Sequence, residues 1–145
     1  IADNPRLNTR LVAGKNPLRI IINTQQKLSE KAIVFTDGSP TVLFSNFEYN
    51  IDTETNTIVH IIDEKNVVKQ VLDYLYQHEI NSLIVEGGAY TLKEFIVNNI
   101  WNEARILHGV NELVQGIKAP EIEGIYTEEY KIATDTIKVL KNTKA

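Results

Sequence analysis

The chain has 145 residues, of which 43% are hydrophobic and 23% charged, and these proportions exclude a disordered or fibrous protein and favour one globular domain. Its formal net charge of −4, without a dense run of Lys and Arg, gives no general attraction for nucleic acid. The absence of cysteine excludes disulfides, thiolate catalysis and cysteine-based zinc sites and agrees with a reducing cytoplasm, and no apolar run reaches the roughly 18 to 20 residues that cross a membrane.

The first half of the chain predicts short strands separated by turns. Residues 18–22 form a β-branched run between Asn-Pro and Asn-Thr-Gln, which is typical of a buried parallel strand. Further strands are predicted at 32–36 and 57–62, with residues 41–44 as a possible additional strand. The polar residues 45–56 indicate a loop. No linker or internal repeat interrupts the chain, which the sequence predicts to be a single unit.

The second half alternates helices with strands. Apolar residues recur at intervals of three and four over 66–78, which predicts an amphipathic helix packed on a sheet. Alternation over 130–140 predicts an antiparallel edge strand that closes a mainly parallel sheet, and its otherwise unpaired edge favours a homodimer. The remaining elements are a strand at 82–85, a helix at 90–99, a strand at 104–107 and a loop over 111–126.

The most informative stretch is the turn Glu86-Gly87-Gly88, placed between a predicted strand and a predicted helix. In α/β proteins the N–H groups and positive dipole end at such a helix start favour phosphate, and glycine lets the backbone approach a ligand. Thr24 is predicted at a strand end on the same edge of the sheet, so one cleft could contain both. The pattern lacks the GxGxxG and GxxxxGK[ST] fingerprints, so it indicates a phosphorylated ligand without defining one.

Four blocks of sequence resemble, in order and spacing, the reductase domain of the bifunctional riboflavin-biosynthesis deaminase/reductase. The blocks are Ala2-Asp3-Asn4-Pro5-Arg6-Leu7-Asn8-Thr9-Arg10, Asn16-Pro17-Leu18-Arg19-Ile20-Ile21-Ile22-Asn23, Val85-Glu86-Gly87-Gly88-Ala89 and Asn102-Glu103.

The resemblance implies a dihydrofolate-reductase-like three-layer α/β fold, with a mainly parallel sheet, antiparallel closing strands and helices on both faces. It implies an NADPH-dependent reduction of 5-amino-6-(5-phosphoribosylamino)uracil to its ribitylamino counterpart. The family's domain begins with a further strand and helix, so residues 1–145 are expected to be a reductase domain that lacks them. The zinc deaminase signature is absent, and a deaminase domain could be fused upstream.

The same resemblance assigns site residues by position. Glu86 matches a substrate-contacting carboxylate that could bind ribose hydroxyls or polarise the reacting centre. Arg10 suits the 5′-phosphate, because a guanidinium can hold two oxygens at once. The implied substrate residues are Leu7, Arg10 and Glu86, and the implied cofactor residues are Asp3, Thr24, Gly87, Gly88, Ala89, Tyr90 and Thr91.

Each assignment has a structural alternative. Glu86 could accept hydrogen bonds from the helix that follows, and Gly87 and Gly88 could serve only close packing. Arg10 could form a surface ion pair, and Asp3 could belong to a solvated turn. The three histidines, His60, His78 and His108, lack metal-ligand spacing, so no metal site is expected.

Overall fold

The computed structural model describes residues 4–9, 13–25, 27–52, 54–111 and 115–144. The chain divides into two compact units, Ile1–Asn81 and Ser82–Ala145, although the sequence carries no recognisable linker between them. The two units are described separately below. Within the described residues, no helix is long and apolar enough to span a membrane.

The first unit contains a parallel sheet with strand order β1-β2-β3. Its strands are β1 (Arg19–Asn23), β2 (Thr41–Ser45) and β3 (Thr57–Ile61), and its helices are α1 (Ile33–Thr36) and α2 (Val67–Gln77). All five residues of β2 are buried, because this strand is paired on both edges and covered on both faces. The predicted strands at 18–22, 41–44 and 57–62 and the helix at 66–78 are therefore confirmed.

Each face of this sheet is covered by one helix. On one face Val42 and Phe44 of β2 pack against Val71 and Leu75 of α2. On the other face Leu43 packs against Val34 and Phe35 of α1, as the alternation of side chains along a strand requires. Helices on both faces of a parallel sheet confirm the predicted layered α/β arrangement.

The prediction of a strand over 32–36 is wrong, because Ile33–Thr36 forms the single helical turn α1. Ile, Val and Phe favour strands by propensity, which suggested the wrong element. In the folded unit Val34 and Phe35 are 5% and 1% exposed, and burying both against the sheet outweighs that propensity. The side chain of Asn4 supplies an acceptor for the N–H of Ile33 at the helix start, at 3.0 Å.

Arg19 holds together the amino ends of β1 and β2. Its guanidinium is almost fully buried and forms a two-pronged ion pair with Asp37, with distances of 2.9 and 2.7 Å. The same side chain donates to the Thr41 hydroxyl and to the carbonyl of Val34. This hydrogen bonding to Arg19 lowers the pKa of Asp37, since the charged carboxylate is stabilised.

Aromatic rings line the α2 side of the sheet. The His60 ring lies 5.3 Å from Phe44 and 4.8 Å from Tyr74, and Tyr74 in turn stacks on His78 at 3.9 Å. The Nε2 atom of His60 is shielded from solvent and has no hydrogen-bond partner among the described residues. Burial, with a smaller contribution from the charge of His78, lowers the pKa of His60.

We therefore expect mild acid to destabilise the first unit through His60. Because folded His60 binds a proton less readily than unfolded His60, stability is lost as the pH falls from the unfolded pKa of about 6.5 through the lower folded pKa. Urea midpoints at about pH 7.5 and about pH 5.5 measure this loss. His60→Phe keeps an aromatic ring and should reduce the drop in urea midpoint between the two pH values. The same drop in the wild type and in His60→Phe would contradict the assignment of this acid sensitivity to His60.

The second unit contains an antiparallel sheet with strand order β4-β6-β5. Its elements are α3 (Ala89–Val97), β4 (Glu103–His108), β5 (Ile125–Ile132) and β6 (Asp135–Lys141). The predicted helix at 90–99 and strand at 104–107 are confirmed. Antiparallel strands are present as expected, but in the described part of the chain they form a sheet of their own and do not extend the parallel sheet.

The prediction of one edge strand over 130–140 is wrong in two respects. The stretch forms the end of β5, a two-residue turn at Ala133 and Thr134, and β6. The predicted loop over 111–126 accordingly ends earlier, at the start of β5.

β6 lies in the centre of the sheet and is paired on both edges, so the reason given for a dimer through this strand no longer holds. The turn lacks the Asn-Gly or Asp-Gly signal that marks a tight hairpin.

The predicted strand at 82–85 is also absent, because Ser82–Gly88 pairs with no described strand. Leu83 and Ile84 are 37% and 82% exposed rather than buried. The apolar pattern predicts an extended segment, but a strand also requires a neighbouring strand that accepts and donates its backbone hydrogen bonds.

Candidate functional site

The predicted cofactor turn of the second unit leads directly into α3. Glu86, Gly87 and Gly88 are exposed, and Tyr90 in the first turn of α3 is 71% exposed. The Glu86 carboxylate forms no hydrogen bond or ion pair with a described residue, and α3 has no side-chain cap. The alternative in which Glu86 caps the helix is therefore not observed, and its carboxylate is available to a ligand.

The two glycines have different roles. A Cβ atom at Gly87 would lie 2.8 Å from the Cβ of Thr91, closer than real Cβ contacts, so only glycine fits against the first turn of α3. A Cβ at Gly88 would meet no atom within 4 Å. Gly87 thus serves close packing, whereas the backbone at Gly88 borders open space.

The start of α3 has the properties of a phosphate site. The first intrahelical hydrogen bond runs from the N–H of Leu92 to the carbonyl of Gly88. The preceding N–H groups of Ala89, Tyr90 and Thr91 have no acceptor within the described part of the chain, and such groups at a helix amino end attract anions. The residues present therefore fit the phosphate side of a nicotinamide dinucleotide.

Thr24 lies in the first unit, directly after the carboxyl end of β1. It is half-buried, and its carbonyl oxygen accepts a hydrogen bond of 3.2 Å from the Nδ2 of Asn46, which follows β2. Asn46 also donates to Glu64 at 2.5 Å, while its shielded Oδ1 has no partner among the described residues. The sequence analysis did not identify Asn46 as a residue that supports Thr24. The only signal for it was its position as a polar residue directly after β2, the strand that pairs with β1.

Leu7 lies in a segment tied to the other end of the sheet. Its side chain is 44% exposed and its φ of +51° is unusual for a leucine. Asp3 and Arg10, the other predicted residues near this segment, lie outside the described residues. No described hydrogen bond joins the Leu7 segment to Thr24, so the contacts do not bring these two predicted positions together.

The predicted positions are thus distributed over both units, with Leu7 and Thr24 in the first and Glu86 through Thr91 in the second. Among the residues that the structure describes, no group of three or more His, Asp or Glu side chains could hold a metal ion.

The parallel sheet with its helices and the separate antiparallel sheet define a protein of mixed α/β class. The chain belongs to the RibD C-terminal domain family, whose model matches residues 1–109. This match confirms the family resemblance given by the four sequence blocks.

Individual relatives agree with the family assignment. The chain is 30% identical, over 84% of its length, to the 2,5-diamino-6-ribosylamino-4(3H)-pyrimidinone 5′-phosphate reductase of Aquifex aeolicus. It is 31% identical, over 83% of its length, to the riboflavin biosynthesis protein RibD of Bacillus amyloliquefaciens. The chain spans 57% of the first relative and 34% of the second.

A solved structure supports the fold. The Thermotoga maritima diaminohydroxyphosphoribosylaminopyrimidine deaminase/5-amino-6-(5-phosphoribosylamino)uracil reductase superposes with a TM-score of 0.80 at 21% identity. The superposition covers 97% of this chain and 42% of the Thermotoga chain. The chain therefore has the dihydrofolate-reductase-like fold of RibD reductase domains.

Proposed function

We propose that the protein reduces 5-amino-6-(5-phosphoribosylamino)uracil to 5-amino-6-(5-phosphoribitylamino)uracil in riboflavin biosynthesis, with NADPH as the reductant. The proposal rests chiefly on the family match over residues 1–109, which includes the Glu86-Gly87-Gly88 turn. The open helix start behind that turn supports it independently, because a dinucleotide cofactor needs a phosphate site.

When bound, the cofactor supplies a hydride to C1 of the opened ribose chain. The protein's part is to orient two ligands and to provide electrostatics, so no covalent nucleophile is required. The N–H groups at Ala89, Tyr90 and Thr91 would hold the cofactor phosphate, and Thr24 would contact the same cofactor. Glu86, one residue before the glycines, would bind ribose hydroxyls or polarise the reacting centre.

A related substrate is the second candidate. Two relatives, from Aquifex aeolicus and Archaeoglobus fulgidus, carry the name 2,5-diamino-6-ribosylamino-4(3H)-pyrimidinone 5′-phosphate reductase. The two substrates share the phosphoribosylamino chain and differ in the ring that carries it. Competition between them for NADPH oxidation by the intact protein would rank their kcat/KM values and decide which is preferred.

Loss of the Glu86 charge tests the proposed role of this residue. Glu86→Gln should lower kcat/KM about 10- to 150-fold, since removing a hydrogen bond to a charged group costs about 1.5 to 3 kcal/mol. NADPH oxidation with the phosphoribosylaminouracil measures the change, and Arg10→Ala should raise the KM for this substrate. Glu79→Gln removes an exposed charge from the first unit and serves as the control. Equal rates in the Glu86 and Glu79 variants would exclude Glu86 from the site.

A catalytically silent nucleotide-binding module on the same scaffold is an alternative of a different class, because fold alone does not establish chemistry. Saturable NADPH binding without turnover of either substrate would favour it. Failure to bind NADPH would contradict both proposals.

The proposal also covers the location, the oligomeric state and the domain composition of the protein. Residues 1–145 would act as a cytoplasmic reductase domain that forms a homodimer, but not by edge pairing of β6, which is already paired on both edges. The Thermotoga relative is named as both a deaminase and a reductase. We therefore include fusion of this reductase domain to a deaminase domain in the proposal for the whole protein. Light scattering on the intact protein measures the oligomeric state.

A further inference from the structure

The segment from Asn4 to Thr9 is held to the first unit at three points. At its start, the Oδ1 of Asn4 accepts the N–H of Ile33 at 3.0 Å. In its middle, the Nη1 of Arg19 donates to the carbonyl of Arg6 at 2.5 Å. At its end, Thr9 donates through both its N–H and its hydroxyl to the Oδ1 of Asn16, at 3.1 and 2.8 Å. These hydrogen bonds, called tethers below, distinguish the segment from a turn whose polar groups are bonded only to water.

The tethers impose a backbone that the segment would not adopt alone. Asn4 and Leu7 have φ values of +41° and +51°. A left-handed conformation costs a leucine on the order of 1 to 2 kcal/mol, because its Cβ approaches the following carbonyl. The hydrogen bonds to Arg19 and Asn16 offset this cost and keep the segment in one conformation.

Two side chains of the Asn4–Thr9 segment are unusual for a surface turn. Leu7 is 44% exposed, although it is apolar. The Oδ1 of the neighbouring Asn8 is shielded from bulk solvent and accepts no hydrogen bond from a described residue. An exposed apolar side chain held in one conformation suits contact with the ring face of a ligand such as an aminopyrimidine.

We propose that Arg19 and Asn16 are positioning residues for the substrate, acting through the Asn4–Thr9 segment that they hold. The inference rests on the proposed function. Arg19 binds the middle of the segment through the carbonyl of Arg6. Its other hydrogen bonds, to Thr41 and Asp37, connect the amino ends of β1 and β2. Asn16 anchors the segment from its exposed end, and its Nδ2 lies 3.5 Å from the hydroxyl of Ser39.

Asn16 is the better residue to test, because it is exposed and its replacement should leave the core intact. Asn16→Ala removes the acceptor for both hydrogen bonds from Thr9. Asn16→Asp keeps an oxygen acceptor at that position and should restore the tether. Gln70→Ala is a matched control, since Gln70 is an amide in the same unit that donates to the carbonyls of Asp63 and Lys65.

The experiment uses the intact protein with NADPH and the phosphoribosylaminouracil. Asn16→Ala should raise the KM for this substrate about tenfold, the effect of losing roughly 1.4 kcal/mol, while kcat and the KM for NADPH stay within about twofold. Calorimetric titration with the ribitylamino product, without cofactor, should show the same loss of affinity. Asn16→Asp and Gln70→Ala should match the wild type in both measurements.

The outcomes separate the two proposals. Wild-type turnover with an unchanged substrate KM in Asn16→Ala overturns the positioning role alone. A parallel fall in kcat, substrate affinity, NADPH affinity and thermal stability also overturns it, because that result indicates a general structural defect. A wild-type protein that binds NADPH but reduces neither pyrimidine overturns the proposed function and with it this inference.

Discussion

Replacing Asp37 with alanine is expected to lower the free energy of unfolding by about 3 to 5 kcal/mol, because the Arg19 guanidinium then remains buried without a counter-charge. The Arg19 side chain is only 2% exposed and that of Asp37 16% exposed, so the guanidinium loses its counter-charge while it stays largely out of water. Asp37 also accepts the N–H of Ser39 at 3.0 Å, and that hydrogen bond is lost as well. Urea denaturation of the intact protein at neutral pH measures the change.

Two comparisons isolate the buried charge as the cause. Asp73→Ala breaks the exposed pair of Lys69 and Asp73 on α2 and should cost about 0 to 1 kcal/mol. The double replacement Arg19→Met with Asp37→Leu removes both charges and should recover much of the stability lost by Asp37→Ala, because no charge then remains buried alone. A loss at Asp37 no larger than that at Asp73 would show that the pair contributes little.

Adding a methyl group at Gly87 is expected to raise the dissociation constant for NADPH about 10- to 150-fold, because misplacing a hydrogen bond to the charged phosphate costs about 1.5 to 3 kcal/mol. The new Cβ would lie 2.8 Å from the Cβ of Thr91, so the first turn of α3 must move. That turn carries the N–H groups proposed to hold the cofactor phosphate. Calorimetric titration of Gly87→Ala with NADPH measures the effect.

Variants at Thr91 and Gly88 test whether the contact between the new Cβ and Thr91 causes the loss of affinity. Combining Gly87→Ala with Thr91→Gly removes the three Thr91 atoms that the new Cβ would meet and should restore part of the affinity, less the roughly 1 kcal/mol that glycine costs in a helix. Thr91→Ala leaves the Cβ in place and should not restore it. Gly88→Ala meets no atom within 4 Å and should keep the wild-type thermal stability. Wild-type affinity in Gly87→Ala would contradict the phosphate role of α3.

Local sequence patterns predicted the elements whose burial follows from their own periodicity. The β-branched run at 18–22 and the regular spacing over 66–78 became β1 and α2, because each pattern defines a face that must be buried. The same reasoning gave the wrong element at 32–36. There the identity of the element depends on how the side chains of Val34 and Phe35 meet the sheet, which no local pattern contains.

For the candidate site, the sequence located the turn that precedes α3, because Glu86-Gly87-Gly88 is a signal in consecutive residues. The roles that the family resemblance assigns to Glu86, Thr24 and Leu7 remain predictions. Arg19 and Asn46 were missed as site-supporting residues. Their partners lie far away in sequence, in α1 and the following turn for Arg19 and after β1 for Asn46, so only the folded chain reveals the contacts.

The sequence by itself determined the class of the protein, its family and the location of the glycine turn, because composition, periodicity and motif order are properties of neighbouring residues. Only the tertiary structure decided that β6 is central rather than an edge strand, that Gly87 packs on α3 while Gly88 borders open space, and that Arg19 reaches the Asn4–Thr9 segment. Strand partners and close contacts are set by residues distant in the chain, and their energies exist only once those residues have been brought together.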